Sequence, residues 1–78
     1  MNYAKKAQLF RVLANEKRLH ILDLIADKEM KVNQITKELK TRKSNTSQHL
    51  AILRMNRLVT TRRSGKNIFY KADLPEIR

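Results

Sequence analysis

Asn33-Gln34-Ile35-Thr36-Lys37-Glu38-Leu39, then Lys40-Thr41-Arg42-Lys43, then Ser44-Asn45-Thr46-Ser47-Gln48-His49-Leu50-Ala51-Ile52-Leu53 is the stretch that decides the fold of this 78-residue chain. Asn33 carries the short polar side chain of an N-cap and predicts a helix from Gln34 to about Leu39, burying Ile35 and Leu39. Lys40 to Lys43 reads as a basic turn, and Ser44 is expected to cap a second helix reaching about Met55. A short helix, a turn of about four residues and another helix make a helix-turn-helix.

Working outward, Tyr3, Ala7, Phe10 and Ala14 follow helical spacing, with Leu9 and Leu13 widening the stripe, so a helix is expected from Asn2 to about Leu13. Asn15 caps a further helix, Glu16 to Ala26, which is apolar around most of its circumference and is expected at the centre of the bundle. Asp27-Lys28-Glu29 is a turn, and Met30-Lys31-Val32 a minimal strand. On the C-terminal side, Leu58–Arg62 and Asn67–Ala72 are rich in β-branched and aromatic residues. They flank Arg63-Ser64-Gly65-Lys66, which holds the chain's only glycine, and so predict a β-hairpin. Pro75 closes the fold or begins another element. The fold class expected is mainly α with a small β-hairpin (α+β): a winged helix-turn-helix in the order α-α-(β)-α-α-β-β. Residues 1–78 form one domain, with the helix-turn-helix at 33–55 and the wing at 58–72.

Charge points to the partner. From Leu39 to Ala72 there are nine Lys or Arg residues and no Asp or Glu, within a formal net charge of +11. A one-signed field over half of a small domain attracts a polyanion. The absence of cysteine excludes disulfides and thiolate metal sites. The apolar runs are too short to span a bilayer, and Lys5, Lys6 and Arg11 interrupt any secretory h-region, so a cytoplasmic protein without a membrane partner is expected.

At about 100° per residue, the helix after Ser44 sorts into two faces. Thr46, His49, Leu50 and Leu53 fall on a packing side; Ser44, Ser47, Gln48 and Ala51 fall opposite, with Asn45 and Arg54 on the flanks. Short polar side chains on an open helical face suit the major groove: Gln pairs with adenine, Ser bonds several base edges, and Ala permits close approach. A solvated polar surface is the competing reading of the same motif; the surrounding charge and the wing favour nucleic acid. Arg62, Arg63 and Lys66 at the hairpin tip, with Asn67 beside them, suit phosphate or minor-groove contact; Arg57 and Lys71 add to the field. His49 is as well placed for a structural hydrogen bond as for DNA. No second His, Asp or Glu lies at ligand spacing around it, so neither a metal nor a cofactor is expected. His20 reads as a surface or interface residue. The DNA-binding set expected is therefore Lys43, Ser44, Asn45, Thr46, Ser47, Gln48, His49, Arg54, Arg62, Arg63, Lys66 and Asn67.

These residues resemble the arsenical-resistance repressor (ArsR-type) family. Phe10-Arg11-Val12-Leu13-Ala14-Asn15-Glu16-Lys17-Arg18-Leu19-His20-Ile21-Leu22 is similar to its opening, in which Leu-Ala, a polar tripeptide and Arg-Leu-x-Ile-Leu recur. Ser44 to Leu53 is similar to its recognition pattern Ser-x-x-Ser-x-His-Leu-x-x-Leu. Leu58-Val59, Arg62 to Lys66 and Phe69-Tyr70 resemble its wing. The resemblance spans roughly residues 7 to 72. It implies a homodimeric repressor on double-stranded DNA, with an operator of two related (palindromic or pseudo-palindromic) half-sites about 34 Å or a multiple apart. It also implies that the first helix, residues 1–14, forms the dimer interface through Tyr3, Ala7 and Phe10. The family's metal-sensing Cys-x-Cys corresponds to Lys31 and Asn33 here, and its second site, on a C-terminal helix, has no counterpart among these residues. No metal switch is expected, and the effector is left open. The family's glycine before Leu-Val is replaced by Arg57, so Asn56 is expected to take the left-handed position that ends the helix.

Two other classes compete. A winged helix could coat DNA without sequence preference or dock acidic proteins. An enzyme is the weakest class and no turnover is expected, because the seven carboxylates are scattered and no nucleophile, base or phosphate-loop pattern occurs. RNA binding lacks stacking platforms, since Phe69 and Tyr70 read as core.

Overall fold

The structure is a computed structural model and describes residues 2–74. Asn2 starts the first helix, its side-chain oxygen accepting from the Lys5 N–H at 3.0 Å, and α1 runs Tyr3–Leu13. Asn15 caps α2, Glu16–Leu24, in the same way, accepting from the Arg18 N–H at 3.1 Å, with Glu16 favourably placed at the positive helix end. The Arg18 guanidinium then reaches back and donates to the Val12 carbonyl at 2.6 Å, fixing the corner between α1 and α2. α3 spans Val32–Leu39 and α4 spans Lys43–Met55; β1, Val59–Ser64, and β2, Asn67–Ala72, complete the order.

Five local expectations are corrected. α2 ends at Leu24, and its Leu19 stands half-exposed, so α2 is central on one side only. α3 starts at Val32 rather than Gln34: the backbone turns after Lys31, whose N–H donates to the Gln34 side-chain oxygen at 2.8 Å. Of the expected minimal strand, Met30 alone pairs, bridging to Tyr70, while Lys31 is extended but unpaired in the ladder and Val32 is helical. α4 starts at Lys43, one residue before the expected cap, because extended Arg42 already offers its carbonyl to the Thr46 N–H at 3.1 Å. β1 is shifted to Val59–Ser64 and reaches two residues into the expected loop, whereas β2 keeps the expected Asn67–Ala72, leaving Gly65 and Lys66 as the turn between the paired Ser64 and Asn67. Gly65 alone there has positive φ, +62°, the signature of a type II′ hairpin turn.

The fifth concerns how α4 ends. Arg57, not Asn56, is left-handed, with φ 60°. The Leu58 N–H donates to the Leu53 carbonyl at 2.9 Å and the Arg57 N–H to Arg54 at 3.0 Å, which is the Schellman pattern; its paired apolar residues, Leu53 and Leu58, are both buried. The pattern demands the left-handed residue just before Leu58, one place beyond Asn56. Asn56 contributes differently, its side-chain nitrogen donating to the Ile52 carbonyl at 2.7 Å. α3 ends by the same device at Lys40, φ 53°, with the Thr41 N–H on the Thr36 carbonyl at 3.5 Å.

Ile21, Ile25, Ile35, Leu50, Leu53 and Leu58 are fully buried and join α2, α3 and α4 to the base of the hairpin. Each such side chain contributes about 1.5–3 kcal/mol on burial. β1 and β2 pair antiparallel from Val59–Ala72 to Ser64–Asn67. The outer edge of β2 is covered: Met30 exchanges backbone hydrogen bonds with Tyr70 at 3.1 and 2.9 Å, and the Ala72 N–H donates to Ile25 at 3.1 Å. The role expected of Pro75 lies outside the described residues.

Candidate nucleic-acid interface

Burial fixes the rotation of α4. Thr46, Leu50 and Leu53 are sunk in the core, so Ser44, Ser47, Gln48 and Ala51 are turned outward and exposed. Lys43 and Arg54 flank that face and are exposed too. Asn45 is exposed, with its side-chain nitrogen donating to the Thr41 hydroxyl at 3.1 Å, tying the turn to the helix. Between α4 and β2 lies a groove of about 450 Å³ lined by Ser47, Leu50, Ala51, Arg54, Met55 and Tyr70. Leu50, Ala51, Met55 and Tyr70 give it apolar walls, and Arg54 is the one charged residue in its lining.

Thr46 does not belong to this face. It is fully buried, and its hydroxyl donates to the Arg42 carbonyl at 3.4 Å, so it cannot reach a base edge. The helical angle that turns Ser47 out turns Thr46 in. His49 is half-buried on the packing side, and its Nδ1 is buried without a hydrogen-bond partner. Burial first, then repulsion from Arg18 and Lys17, pulls its pKa below the usual 6.5, so the ring is neutral at neutral pH. His20 is exposed on α2.

The wing carries the remaining cations. Arg63, Lys66 and Asn67 are exposed at its far end. Arg62 is already engaged: its Nε and Nη2 donate to the two carboxylate oxygens of Glu29 at 2.9 and 3.2 Å, and its guanidinium lies 4.7 Å from the centre of the Phe69 ring. The hydrogen bond from Arg62 holds the Glu29 carboxyl below the ordinary carboxylate range. Sequence reasoning missed Glu29, which lies outside the cation-rich stretch; it also missed Met55 and Tyr70 as groove walls. The one signal available was that Glu29 directly precedes the extended Met30.

α1 shows two apolar sides. Val12 is buried and Leu9 and Leu13 pack on the core, while Tyr3 is 77% exposed and Phe10 62% exposed, with Ala7 exposed as well. Among the described residues no group of three or more His, Asp or Glu side chains could hold a metal ion, and no helix is long and apolar enough to cross a membrane.

A short helix, a three-residue turn, an outward-facing second helix and a cationic hairpin define a winged helix-turn-helix domain. The sequence agrees with the geometry. The chain belongs to the ArsR family: the pattern described as "Bacterial regulatory protein, arsR family" matches residues 15–61. It is 44% identical over 71 residues to the HTH-type transcriptional regulator KmtR of Mycobacterium tuberculosis, covering 91% of this chain and 55% of that protein. The chain thus spans about half of that relative's length. It is 39% identical over 77 residues to the transcriptional activator HlyU of Vibrio cholerae, covering 99% of this chain and 71% of that one. The reduced form of HlyU superposes with a TM-score of 0.89, over 97% of this chain and 80% of that one, at 39% identity. The homodimeric winged helix-turn-helix DNA-binding domain of Mb0332 from Mycobacterium bovis, 33% identical, superposes with a TM-score of 0.82 over 90% of this chain and 65% of that one.

Proposed function

We propose that this protein is a cytoplasmic, homodimeric transcriptional regulator that binds double-stranded DNA sequence-specifically and represses by occupying its operator. The observation that carries the reading is the outward Ser44, Ser47, Gln48, Ala51 face of α4, set in a stretch without a single carboxylate from Leu39 to Ala72. Ser47 and Gln48 read base edges in the major groove; Lys43, Asn45 and Arg54 hold the adjoining phosphates; Arg63, Lys66 and Asn67 on the wing reach the flanking backbone. The open apolar side of α1 through Tyr3, Ala7 and Phe10 supplies the contact between copies, and the homodimeric Mb0332 domain supports that arrangement. Two copies place two recognition helices on half-sites about 34 Å or a multiple apart. Occupancy alone suffices for repression, with no catalytic step and no metal or cofactor.

The test is selection of bound duplexes from a random pool, followed by titration of variants against the selected and an unrelated duplex. Gln48→Ala should erase preference at one position of each half-site, a loss of about 1–3 kcal/mol of discrimination. Arg63→Gln should weaken binding to both duplexes and reduce the salt slope by about 0.9 for each phosphate it no longer neutralises. Equal affinity of the wild type for every duplex would replace this reading with a non-specific coating protein.

A further inference from the structure

The cations of the wing are not equivalent, and the strand register sorts them. Tyr70 lines the groove beside α4 and pairs across the hairpin with Thr61. Successive residues of a strand point to opposite faces, so Arg63 and Ile68 lie on the Tyr70 face, whereas Arg62 and Phe69 lie on the reverse. On that reverse face Arg62 meets a carboxylate from outside the carboxylate-free stretch, Glu29, and meets it with both oxygens while stacked on Phe69. Glu29 comes from 33 positions away in the chain. It immediately precedes Met30, whose N–H and C=O are both hydrogen-bonded to Tyr70. Side chain and backbone thus fasten the same two-residue segment to the hairpin, one through Arg62 of β1 and the other through Tyr70 of β2. With its Nε–Nη2 edge filled and its charge compensated by a carboxylate, the guanidinium is held against the hairpin and keeps only its outer Nη1–Nη2 edge, which makes it a poorer phosphate ligand.

We infer that Glu29 and Arg62 form a brace that sets the stance of the wing, so that Arg62 is a positioning residue and Arg63 and Lys66 make the contacts. This rests on the DNA-binding reading above and deepens it by naming a residue, Glu29, that acts at the interface without touching DNA. A carboxylate close to a polyanion repels it, so a loss of affinity when Glu29 is neutralised is the signature of a structural link rather than of the field.

Three variants separate the two: Glu29→Gln, Arg62→Gln and the double substitution, each titrated by fluorescence anisotropy against the selected duplex over a range of salt. The singles change net charge in opposite directions, yet each breaks the same brace. Both should weaken binding by roughly two- to fivefold per wing, the range of a partly exposed ion pair. The double variant should lose no more than either single, and none should change the salt slope as Arg63→Gln does. Tighter or unchanged binding by Glu29→Gln, additive losses, or a slope reduced in Arg62→Gln would overturn the assignment. Should the wild type select no duplex at all, the functional reading fails and the brace is judged by amide hydrogen exchange in β1 and β2. Faster exchange in Glu29→Gln upholds it and unchanged exchange refutes it.

Discussion

Replacing Arg57 by glycine should make this protein more stable, although it removes a side chain rather than adding one. Arg57 has φ 60° and closes α4 in a Schellman pattern whose hydrogen bonds, at 2.9 and 3.0 Å, leave no other residue to take the left-handed conformation. An L-residue with a Cβ is disfavoured there by about 1–2 kcal/mol. Glycine relieves that but costs about 0.5–1 kcal/mol more backbone entropy on folding. The net gain is about 0.5–1 kcal/mol, and at about 4–8 °C per kcal/mol for a domain of this size the melting temperature should rise by about 2–8 °C. The assay is thermal unfolding by circular dichroism at one fixed protein concentration, since the proposed dimerisation would make melting concentration-dependent. Arg57→Ala is the control: it discards the same charge and keeps the strain. A glycine variant that melts no higher than the alanine variant refutes the reasoning, because it would place the cost of the left-handed residue near zero. Under the proposed function the joint matters, since Arg57 links α4 to the wing.

Two further outcomes follow from the geometry. Phe10→Asp places a charge on the open side of α1, and sedimentation should show a monomer with retained helical content and sharply weaker binding to a two-half-site operator; a variant still dimeric would move the interface elsewhere. Stability should fall as the pH drops below about 6.5, the ordinary histidine value, because the unfolded chain takes up a proton on His49 that the folded state, its pKa lowered by burial and by Arg18 and Lys17, resists. The urea midpoint should therefore decline between about pH 7.5 and about pH 5.5 in the wild type and decline less in His49→Gln; equal declines would discharge His49 from that role.

The winged helix-turn-helix was legible in the sequence because its parts are written locally. Ile35 and Leu39 one turn apart, Leu50 and Leu53 on one side of a longer helix, and β-branched runs about Gly65 each follow from a short-range period. The two faces of α4 were legible for the same reason, down to Ser47 and Gln48 opposite Leu50 and Leu53. Helix starts were less so. The N-cap residues of α3 and α4, Lys31 and Arg42, make no capping bond with their own side chains, so Asn33 and Ser44 pointed two residues too late. Thr46 shows the limit within the motif itself: it shares the residue type of a base reader and the angle of a core residue, and burial decides between them.

The amino-acid order alone determined the run of positive charge, the helical stripes and the glycine turn, because each depends on neighbours within a few bonds. Contacts between distant segments were decided only when the chain folded: Met30 on Tyr70, Ala72 on Ile25, and Glu29 on Arg62. No short period encodes them. They arise where packing α2 and α3 against the hairpin brings residues from separate parts of the chain within hydrogen-bond reach, and there a carboxylate outside the basic stretch found a cation inside it.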